Sequence, residues 1–417
     1  MLQLSYSTNG LLSLDLFAAI EAVQQAGYAG VELSFDKKQF NPFEMDQRDI
    51  RSLRHFLARC GIKPTCIATP TITFLADRPH EPSMICLDRA GRKQRIDLVR
   101  KGIEIAKALG APIVSFGSGF IRDEHVNRPN INPYEVLAES VNECLKDIGD
   151  VTLVIEPEPG MLIETLDQAI AFIESVASPN FRLHMDLCHV YCSETDYAGS
   201  ISKATPYTKY LHVSDTEEGC NLKLVAYSPD MKMNFGFANY LIYFPETCDF
   251  LFLSQDRAIF FYETRPCAEL AAIIDNIISD NNVGSVQQIY YHDLHRTSSH
   301  LDREINTYAV SVPGLSFYVL DRAKPILKYL RTSNPKEGNQ IILKRKIANS
   351  LTDKVHYHDI PGRGKIDFAN TFGILEKNGF SGYATVELYH HVDAWQKALH
   401  ESISFLSTKL GQGEISE

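Results

Sequence analysis

Short apolar segments alternate with amphipathic segments along the first half of the chain. Apolar runs of strand length, such as GVELSF at 30–35 and APIVSF at 111–116, predict buried strands. The segments between them carry apolar residues at helical spacing and end at a glycine, as Leu53 and Leu57 do before Gly61. The pattern predicts strands at 2–7, 30–35, 63–69, 111–116, 151–156, 181–186 and 209–214, and a further one at 383–388.

Strictly alternating strands and helices are typical of parallel sheets that helices cover. Seven such strands within the first 216 residues match the spacing of a (β/α)8 barrel. An open doubly wound sheet that binds a dinucleotide lacks its fingerprint here, because no G-x-G-x-x-G follows the first strand. We therefore predict an α/β fold, a (β/α)8 TIM barrel.

The alternation stops after Asp215 and resumes near residue 366. We predict TIM barrel strands 1–7 in residues 1–217, an insertion domain in 218–354, and strand 8 with the C-terminal helix in 355–417. Removing the insertion leaves 280 residues, the size of one barrel. The insertion is expected to be mixed α/β, and it could be a lid, a dimerisation element or a partner-docking module. Its predicted elements are strands at 250–253, 258–262, 305–310 and 316–320, helices at 268–278 and 321–330, and a loop at 332–338.

Composition and charge narrow the class of protein. The 417 residues are 44% hydrophobic and 22% charged, as in a folded soluble protein. A dispersed net charge of −11 argues against nucleic acid or an anionic membrane as partner. The nine cysteines form no CxxC pair and are typical of reduced thiols. With no apolar stretch of membrane-spanning length and no visible signal peptide, a cytoplasmic location is expected.

Acidic and histidine side chains mark the ends of four consecutive predicted barrel strands. Glu156, Asp186, His212 and Glu387 occupy matching positions on strands five to eight. The carboxyl ends of barrel strands meet at one rim, so these side chains are expected to converge. Three carboxylates would repel one another there unless a cation compensated them. An oxygen-rich site with one imidazole suits Mn²⁺, Mg²⁺ or Co²⁺, and Zn²⁺ is an alternative.

Several motifs extend this pattern over about 280 residues. They are GYAGVEL at 27–33, the Glu156 strand with its following Pro and Gly, Asp186-x-x-His189, His212-x-x-Asp215, His358-x-x-x-Gly-Arg-Gly-x-x-Asp-Phe and Glu387. In this order they resemble the xylose isomerase-like barrel superfamily, near its sugar-phosphate isomerase/epimerase and ketose 3-epimerase branch. The chain departs from that pattern in having Gly-Arg-Gly where the family usually has Gly-Glu-Gly, and in its long insertion.

The resemblance implies a role for each matching residue. Glu156, Asp186, His212 and Glu387 are expected to bind one divalent metal ion, with Mn²⁺ the first choice. Glu156 and Glu387 are also expected to be the acid/base pair, and His189 to contact a substrate oxygen. From their place near the barrel mouth, we further expect substrate contacts from His358 and from Arg363, whose guanidinium could hold a phosphate or carboxylate.

The resemblance implies an isomerase or epimerase that acts on a sugar, sugar phosphate or cyclitol through a metal-stabilised enediolate. The expected partner is therefore a small carbohydrate, and a homo-oligomer is compatible with the sequence. A dehydratase would share the same site, and a non-catalytic accessory barrel is a further alternative. A zinc-dependent endonuclease of the superfamily needs additional histidines after strands three and four, where this chain has Thr-Pro-Thr at 69–71 and Gly-Ser-Gly at 117–119.

Overall fold

The computed structural model describes residues 2–76, 80–126, 128–159, 161–216 and 358–410, together with five strands between 220 and 321. The strands in chain order are β1 (Leu2–Ser7), β2 (Gly30–Ser34), β3 (Lys63–Ala68), β4 (Ile113–Gly117), β5 (Thr152–Glu156), β6 (Phe181–Asp186), β7 (Thr208–Val213), β8 (Cys220–Tyr227), β9 (Ile259–Arg265), β10 (Ser285–Ile289), β11 (Asn306–Val312), β12 (Leu315–Asp321) and β13 (Gly382–Val386).

Eight of these strands close into a parallel barrel. Their order around the barrel is β1-β13-β7-β6-β5-β4-β3-β2, so β13 closes the barrel by pairing with both β7 and β1. The closed parallel barrel confirms the predicted (β/α)8 TIM fold. Parallel order also places the carboxyl ends of all eight strands at one rim, which is where functional side chains of such barrels lie.

Helices connect and cover the barrel strands. Helix α2 begins with a capping box, in which Asp46 and Asp49 each accept a backbone hydrogen bond from the other, and it ends at Gly61 in the left-handed conformation. The helices are α1 (Leu16–Gln25), α2 (Gln47–Cys60), α3 (Arg89–Leu109), α4 (Asp123–Val126), α5 (Pro133–Leu145), α6 (Leu166–Val176), α7 (Leu187–Ser193), α8 (Tyr197–Ala204), α9 (Phe368–Lys377) and α10 (Trp395–Ser407). Within the part of the chain described above, no helix has the length and apolar character of a membrane span.

A buried chain of hydroxyl groups crosses the inside of the barrel. The Tyr210 hydroxyl lies 3.0 Å from Thr65 Oγ1 and accepts a hydrogen bond from Thr385 Oγ1 at 2.7 Å. Thr65 in turn lies 3.1 Å from Ser5 Oγ. These contacts join β1, β3, β7 and β13, and burial raises the pKa of Tyr210 well above its usual value. The hydroxyl chain therefore ties four strands together inside the barrel.

The five remaining strands form a second, antiparallel sheet in the order β10-β11-β12-β8-β9. By its contacts the chain divides into two compact units, one of Met1–Ala76, His80–Thr216 and His356–Glu417 and the other of Asp77–Pro79 and Glu217–Val355. The proposed role of the insertion and its limits at 218 and 354 stay predictions.

Sequence reasoning recovered only part of the second sheet. The strands predicted at 258–262, 305–310 and 316–320 correspond to β9, β11 and β12, whereas β8 and β10 were not predicted. The helix predicted at 321–330 is wrong at its first residue, because Asp321 pairs with Asn306 in the sheet. The rest of that helix, the strand at 250–253, the helix at 268–278 and the loop at 332–338 lie outside the described residues.

Candidate metal and active site

Four side chains from four neighbouring strands converge at the carboxyl rim of the barrel. Glu156 ends β5, Asp186 ends β6, His212 lies near the end of β7, and Glu387 directly follows β13. One ligand atom from each lies within 4.8 Å of the others. His212 Nδ1 is 3.3 Å from Glu156 Oε1, 3.3 Å from Glu387 Oε2 and 3.7 Å from Asp186 Oδ2. The structure therefore brings together the four predicted ligands, and their binding of a metal stays a prediction.

Two atoms of this cluster are buried without a hydrogen-bond partner. Asp186 Oδ1 accepts hydrogen bonds from the backbone N–H groups of Cys188 and His189 at 2.7 and 3.0 Å, where it caps α7. Its other oxygen, Oδ2, has no partner, and neither has His212 Nδ1. Buried polar atoms are rarely left unpaired. A cation between three carboxylates and an imidazole would satisfy both atoms, so the residues present fit a divalent metal ion.

Glu32 of β2 contacts His212 through Nε2, the ring nitrogen that does not face the other predicted ligands. His212 Nε2 donates to Glu32 Oε2 at 3.0 Å, and both side chains are fully buried. A proton on Nε2 leaves Nδ1 free to act as a ligand, and a carboxylate in this position is typical of metal-binding histidines. Sequence reasoning did not assign this residue. The available signal was a single charged residue inside the otherwise uncharged and buried strand GVELS.

Two further polar residues contact the predicted acid/base pair. Asn9, in the turn after β1, donates from Nδ2 to Glu387 Oε1 at 2.6 Å. His184 of β6 lies 2.7 Å from Ser115 Oγ and 3.5 Å from Glu156 Oε2, both through Nδ1. Neither Asn9 nor His184 was assigned a role from the sequence. Alternation along β6 could have indicated His184, since it lies two residues before Asp186 and so shares its side of the strand.

The pKa values of the two glutamates are shifted in opposite directions. Burial raises the pKa of Glu156 to about 7, although the positive charge of His212 acts against this shift. Burial would also raise the pKa of Glu387, but the positive charge of His212 and the hydrogen bond from His358 outweigh it and hold that pKa well below its usual value. Two carboxyl groups with separated pKa values in one site are typical of an acid/base pair.

The two histidines predicted to contact substrate lie beside the cluster and contact each other. His189 Nδ1 donates to the carbonyl oxygen of Pro157 at 2.8 Å. Burial lowers the pKa of His189 to about 4, so its ring is neutral and its Nε2 is an acceptor. His358 Nε2, 3.2 Å away, is therefore the donor, and His358 Nδ1 lies 3.1 Å from Glu387 Oε2. Contact of either ring with a substrate stays a prediction.

The structure does not bring Arg363 to this cluster. Its side chain is exposed and its guanidinium pairs with Glu401 of α10. The reason is the course of the loop that carries Arg363, which wraps around Asp215. Asp215 Oδ2 accepts a hydrogen bond from the Gly362 N–H at 2.8 Å, and its Oδ1 accepts one from the Ile366 N–H at 3.1 Å. The backbone of the loop faces Asp215. The predicted contact of Arg363 with a substrate phosphate or carboxylate remains untested.

We expect Gly364→Ala to destabilise the barrel strongly. A Cβ at this position would lie 1.8 Å from the Thr216 carbonyl oxygen and 2.4 Å from Asp215 Oδ1, so the backbone would have to move. The expected loss is about 3 kcal/mol of unfolding free energy, measured as a lower thermal midpoint. Gly379→Ala is the control, because its Cβ meets nothing within 4 Å and only its φ of +85° adds strain, roughly 1 kcal/mol. Equal midpoints for the two variants would contradict the close packing at Gly364.

Comparisons with known proteins identify the family. The family model "Xylose isomerase-like TIM barrel" matches residues 20–278. L-ribulose 3-epimerase of Mesorhizobium japonicum is 25% identical over 195 residues, which are 45% of this chain and 62% of that protein. Hydroxypyruvate isomerase of Escherichia coli is 26% identical over 212 residues, covering 48% and 74% of the two chains. Inosose isomerase of Halalkalibacterium halodurans is 26% identical over 208 residues, covering 49% and 68%.

Solved structures show the same fold at lower identity. A D-tagatose 3-epimerase-like protein aligns with a TM-score of 0.54 at 11% identity, over 98% of this chain and all of that one. The IOLI protein with a bound zinc atom aligns with a TM-score of 0.52 at 14% identity, over the full length of both. The matched family model spans more than half of the chain and agrees with the closed barrel and its carboxylate and histidine rim. The chain therefore belongs to the xylose isomerase-like TIM barrel family.

Proposed function

We propose that the protein is a divalent-metal-dependent isomerase or epimerase of a sugar, sugar phosphate or cyclitol. The observation that carries this proposal is the convergence of Glu156, Asp186, His212 and Glu387, with two buried ligand atoms left unpaired. The names of the three curated relatives support the class of reaction, since each is an isomerase or epimerase. A cytoplasmic location and a small-molecule partner are consistent with the acidic chain.

The substrate class follows from the chemistry of the compounds that these names contain. L-ribulose, hydroxypyruvate and inosose each carry a carbonyl group beside a carbon that bears a hydroxyl group. A hydrogen on such a carbon is acidic enough to be removed when the charge that develops on the carbonyl oxygen is stabilised. We therefore infer an α-hydroxy carbonyl compound as substrate.

Glu156 and Glu387 would carry out the two proton transfers. When bound, a divalent ion supplies polarisation of the carbonyl oxygen and stabilisation of the negative charge that develops there. One of Glu156 and Glu387 removes the carbon-bound proton, and the other delivers a proton to the neighbouring carbon or to the opposite face of the same carbon. The first outcome is isomerisation and the second is epimerisation. His189 and His358, beside Glu387, would hold substrate oxygens.

We propose Mn²⁺ as the metal. Three carboxylates and one imidazole form a donor set in which oxygen predominates, and hard divalent ions prefer oxygen ligands. Mg²⁺ and Co²⁺ fit the same donors. Zn²⁺ is an alternative, because a solved structure with this fold holds a zinc atom.

Metal content and proton exchange together test the proposal. We expect about one divalent ion per purified chain by elemental analysis, as in mononuclear sites of this donor type. Chelation should abolish exchange of the carbon-bound hydrogen of an α-hydroxy carbonyl substrate with solvent deuterium, and Mn²⁺ should restore the exchange. The substrates assayed are L-ribulose, hydroxypyruvate, inosose and their phosphorylated analogues. Exchange of the carbon-bound hydrogen is measured by NMR.

Other outcomes of this experiment would point to other functions. A product that has lost water would indicate a dehydratase. Roughly three zinc ions per chain with cleavage of DNA at abasic sites would indicate an endonuclease. Absence of bound metal after supplementation with Mn²⁺ would contradict the proposal and favour a non-catalytic barrel.

A further inference from the structure

The turn that follows β1 lies against the chain that follows β13. Residues Thr8–Leu11 form one 3₁₀ turn, and Thr8 Oγ1 accepts a hydrogen bond from the backbone N–H of Ser34 at 3.0 Å. A Cβ on Gly10 would lie 3.3 Å from the carbonyl oxygen of Leu388, which leaves little room between the two segments. The turn is therefore held in a defined position beside Glu387.

Asn9 of this turn contacts the outer oxygen of the Glu387 carboxylate. Its Nδ2 donates to Oε1 at 2.6 Å, while Oε2 faces His212 Nδ1 at 3.3 Å and His358 Nδ1 at 3.1 Å. A carboxylate only accepts hydrogen bonds, so the amide must present its NH₂ group to Glu387. The terminal torsion of a glutamate is otherwise broadly distributed. The contact with Asn9 fixes this torsion and directs Oε2 toward His212.

The second half of the Asn9 amide adds no hydrogen bond to the turn. Asn9 Oδ1 is buried and has no partner. An unpaired buried carbonyl group costs free energy, so the contact with Glu387, rather than the stability of the turn, accounts for an amide at this position. We infer that Asn9 is a positioning residue for Glu387, which keeps one carboxylate oxygen directed at the predicted metal and substrate. The catalytic part of this inference rests on the proposed function.

Gln39, which follows β2 in the chain, provides a matched control because it contacts the end of the same turn. Its Nε2 donates to the carbonyl oxygens of Leu11 and Leu14 at 2.9 and 3.0 Å, and its Oε1 is also buried without a partner. Gln39→Ala therefore removes an amide that holds the turn, but it does not remove the hydrogen bond to Glu387. Comparing it with Asn9→Ala separates loosening of the turn from loss of the contact.

The test compares Asn9→Ala, Asn9→Asp and Gln39→Ala. In a crystal structure of Asn9→Ala we expect the Glu387 carboxylate to rotate out of its position in the wild type. We also expect Mn²⁺ to bind about tenfold more weakly, as for other residues that orient a metal ligand. With a substrate found by the panel, kcat should fall about tenfold or more while KM changes by less than about threefold. Gln39→Ala should leave the Glu387 carboxylate in place and Mn²⁺ affinity within about threefold.

Asn9→Asp distinguishes positioning from space filling. Aspartate has almost the shape of asparagine but, when ionised, cannot donate and repels Glu387. We expect it to displace the Glu387 carboxylate from its wild-type position at least as far as alanine does, whereas a space-filling role alone predicts a carboxylate that stays in place. A Glu387 carboxylate that stays in its wild-type position in Asn9→Ala or in Asn9→Asp would overturn the inference. If the wild type bound no Mn²⁺ and turned over no substrate, the proposed function would fail, and the position of the Glu387 carboxylate in the crystal would still decide the role of Asn9.

Discussion

Replacing Glu387 by glutamine should lower the rate of proton exchange by about 10³-fold or more. A positioned acid or base contributes about 10² to 10⁴ to a rate, and glutamine can neither remove nor deliver a proton at neutral pH. The same change replaces a charged predicted metal ligand by a weaker neutral one. The affected oxygen is Glu387 Oε2, which lies 3.3 Å from His212 Nδ1. The measurement is the rate of solvent deuterium incorporation at saturating Mn²⁺, with bound metal measured in parallel.

Two companion variants make this prediction specific. Glu156→Gln should impair exchange to a similar extent, because both glutamates are needed for a two-step proton transfer. Glu139→Gln removes an exposed carboxylate that pairs with Arg92 at 3.4 Å, and it should retain wild-type activity. Full exchange activity in Glu387→Gln, with metal still bound, would show that another group transfers the proton.

The second large effect is expected at Glu32, which contacts His212 and none of the other predicted ligands directly. Glu32→Ala should weaken Mn²⁺ binding about 10- to 100-fold, the usual result when the partner of a ligating histidine is lost. The fully buried carboxylate holds the proton on His212 Nε2 through a 3.0 Å hydrogen bond and supplies negative charge behind the ring. Without it, the imidazole can rotate or carry its proton on Nδ1, the atom that would bind the metal.

Glu32→Gln separates the two parts of this effect. The amide oxygen of glutamine can still accept from His212 Nε2, but the negative charge is lost. We therefore expect an affinity between those of the wild type and Glu32→Ala. Calorimetric titration of the chelator-treated protein with Mn²⁺ measures all three. Wild-type affinity in Glu32→Ala would contradict the assignment of Glu32 as the residue that orients His212.

The wild-type charge balance around His212 explains why these effects are expected to be large. Burial alone would lower the pKa of His212, but the charges of Glu32 and Glu387 and the hydrogen bond to Glu32 raise it well above its usual value. The cluster is thus built to stabilise positive charge at this point. A divalent cation meets that requirement, and each carboxylate removed reduces the attraction for it.

The barrel could be predicted from the sequence because its strands are locally encoded. A parallel strand covered on both faces is a continuous apolar run, and each such run is followed by an amphipathic helix. The predicted bounds of the eight barrel strands differ from the observed ones by at most two residues. The second sheet was predicted less well, because its short antiparallel strands carry no comparable alternation with helices.

The four predicted metal ligands could also be found locally. Each lies at the carboxyl end of a strand, and barrel geometry places all such ends at one rim. The residues that contact these ligands have partners far away in the sequence. Glu32 and His212 are 180 positions apart, and Asn9 and Glu387 are 378 positions apart. Glu32 and Asn9 are each a single polar residue, and each meets its partner only when the barrel closes.

The barrel, its family resemblance and the ligand types at the rim could be predicted from the sequence, because they depend on hydrophobic periodicity and on residues at strand ends. Which loop side chains face that rim depends on the folded chain. Asn9 reaches Glu387, whereas Arg363 turns outward to Glu401 because the loop backbone donates its hydrogen bonds to Asp215. A loop side chain takes its direction from contacts with distant strands, and those contacts are formed only in the folded chain.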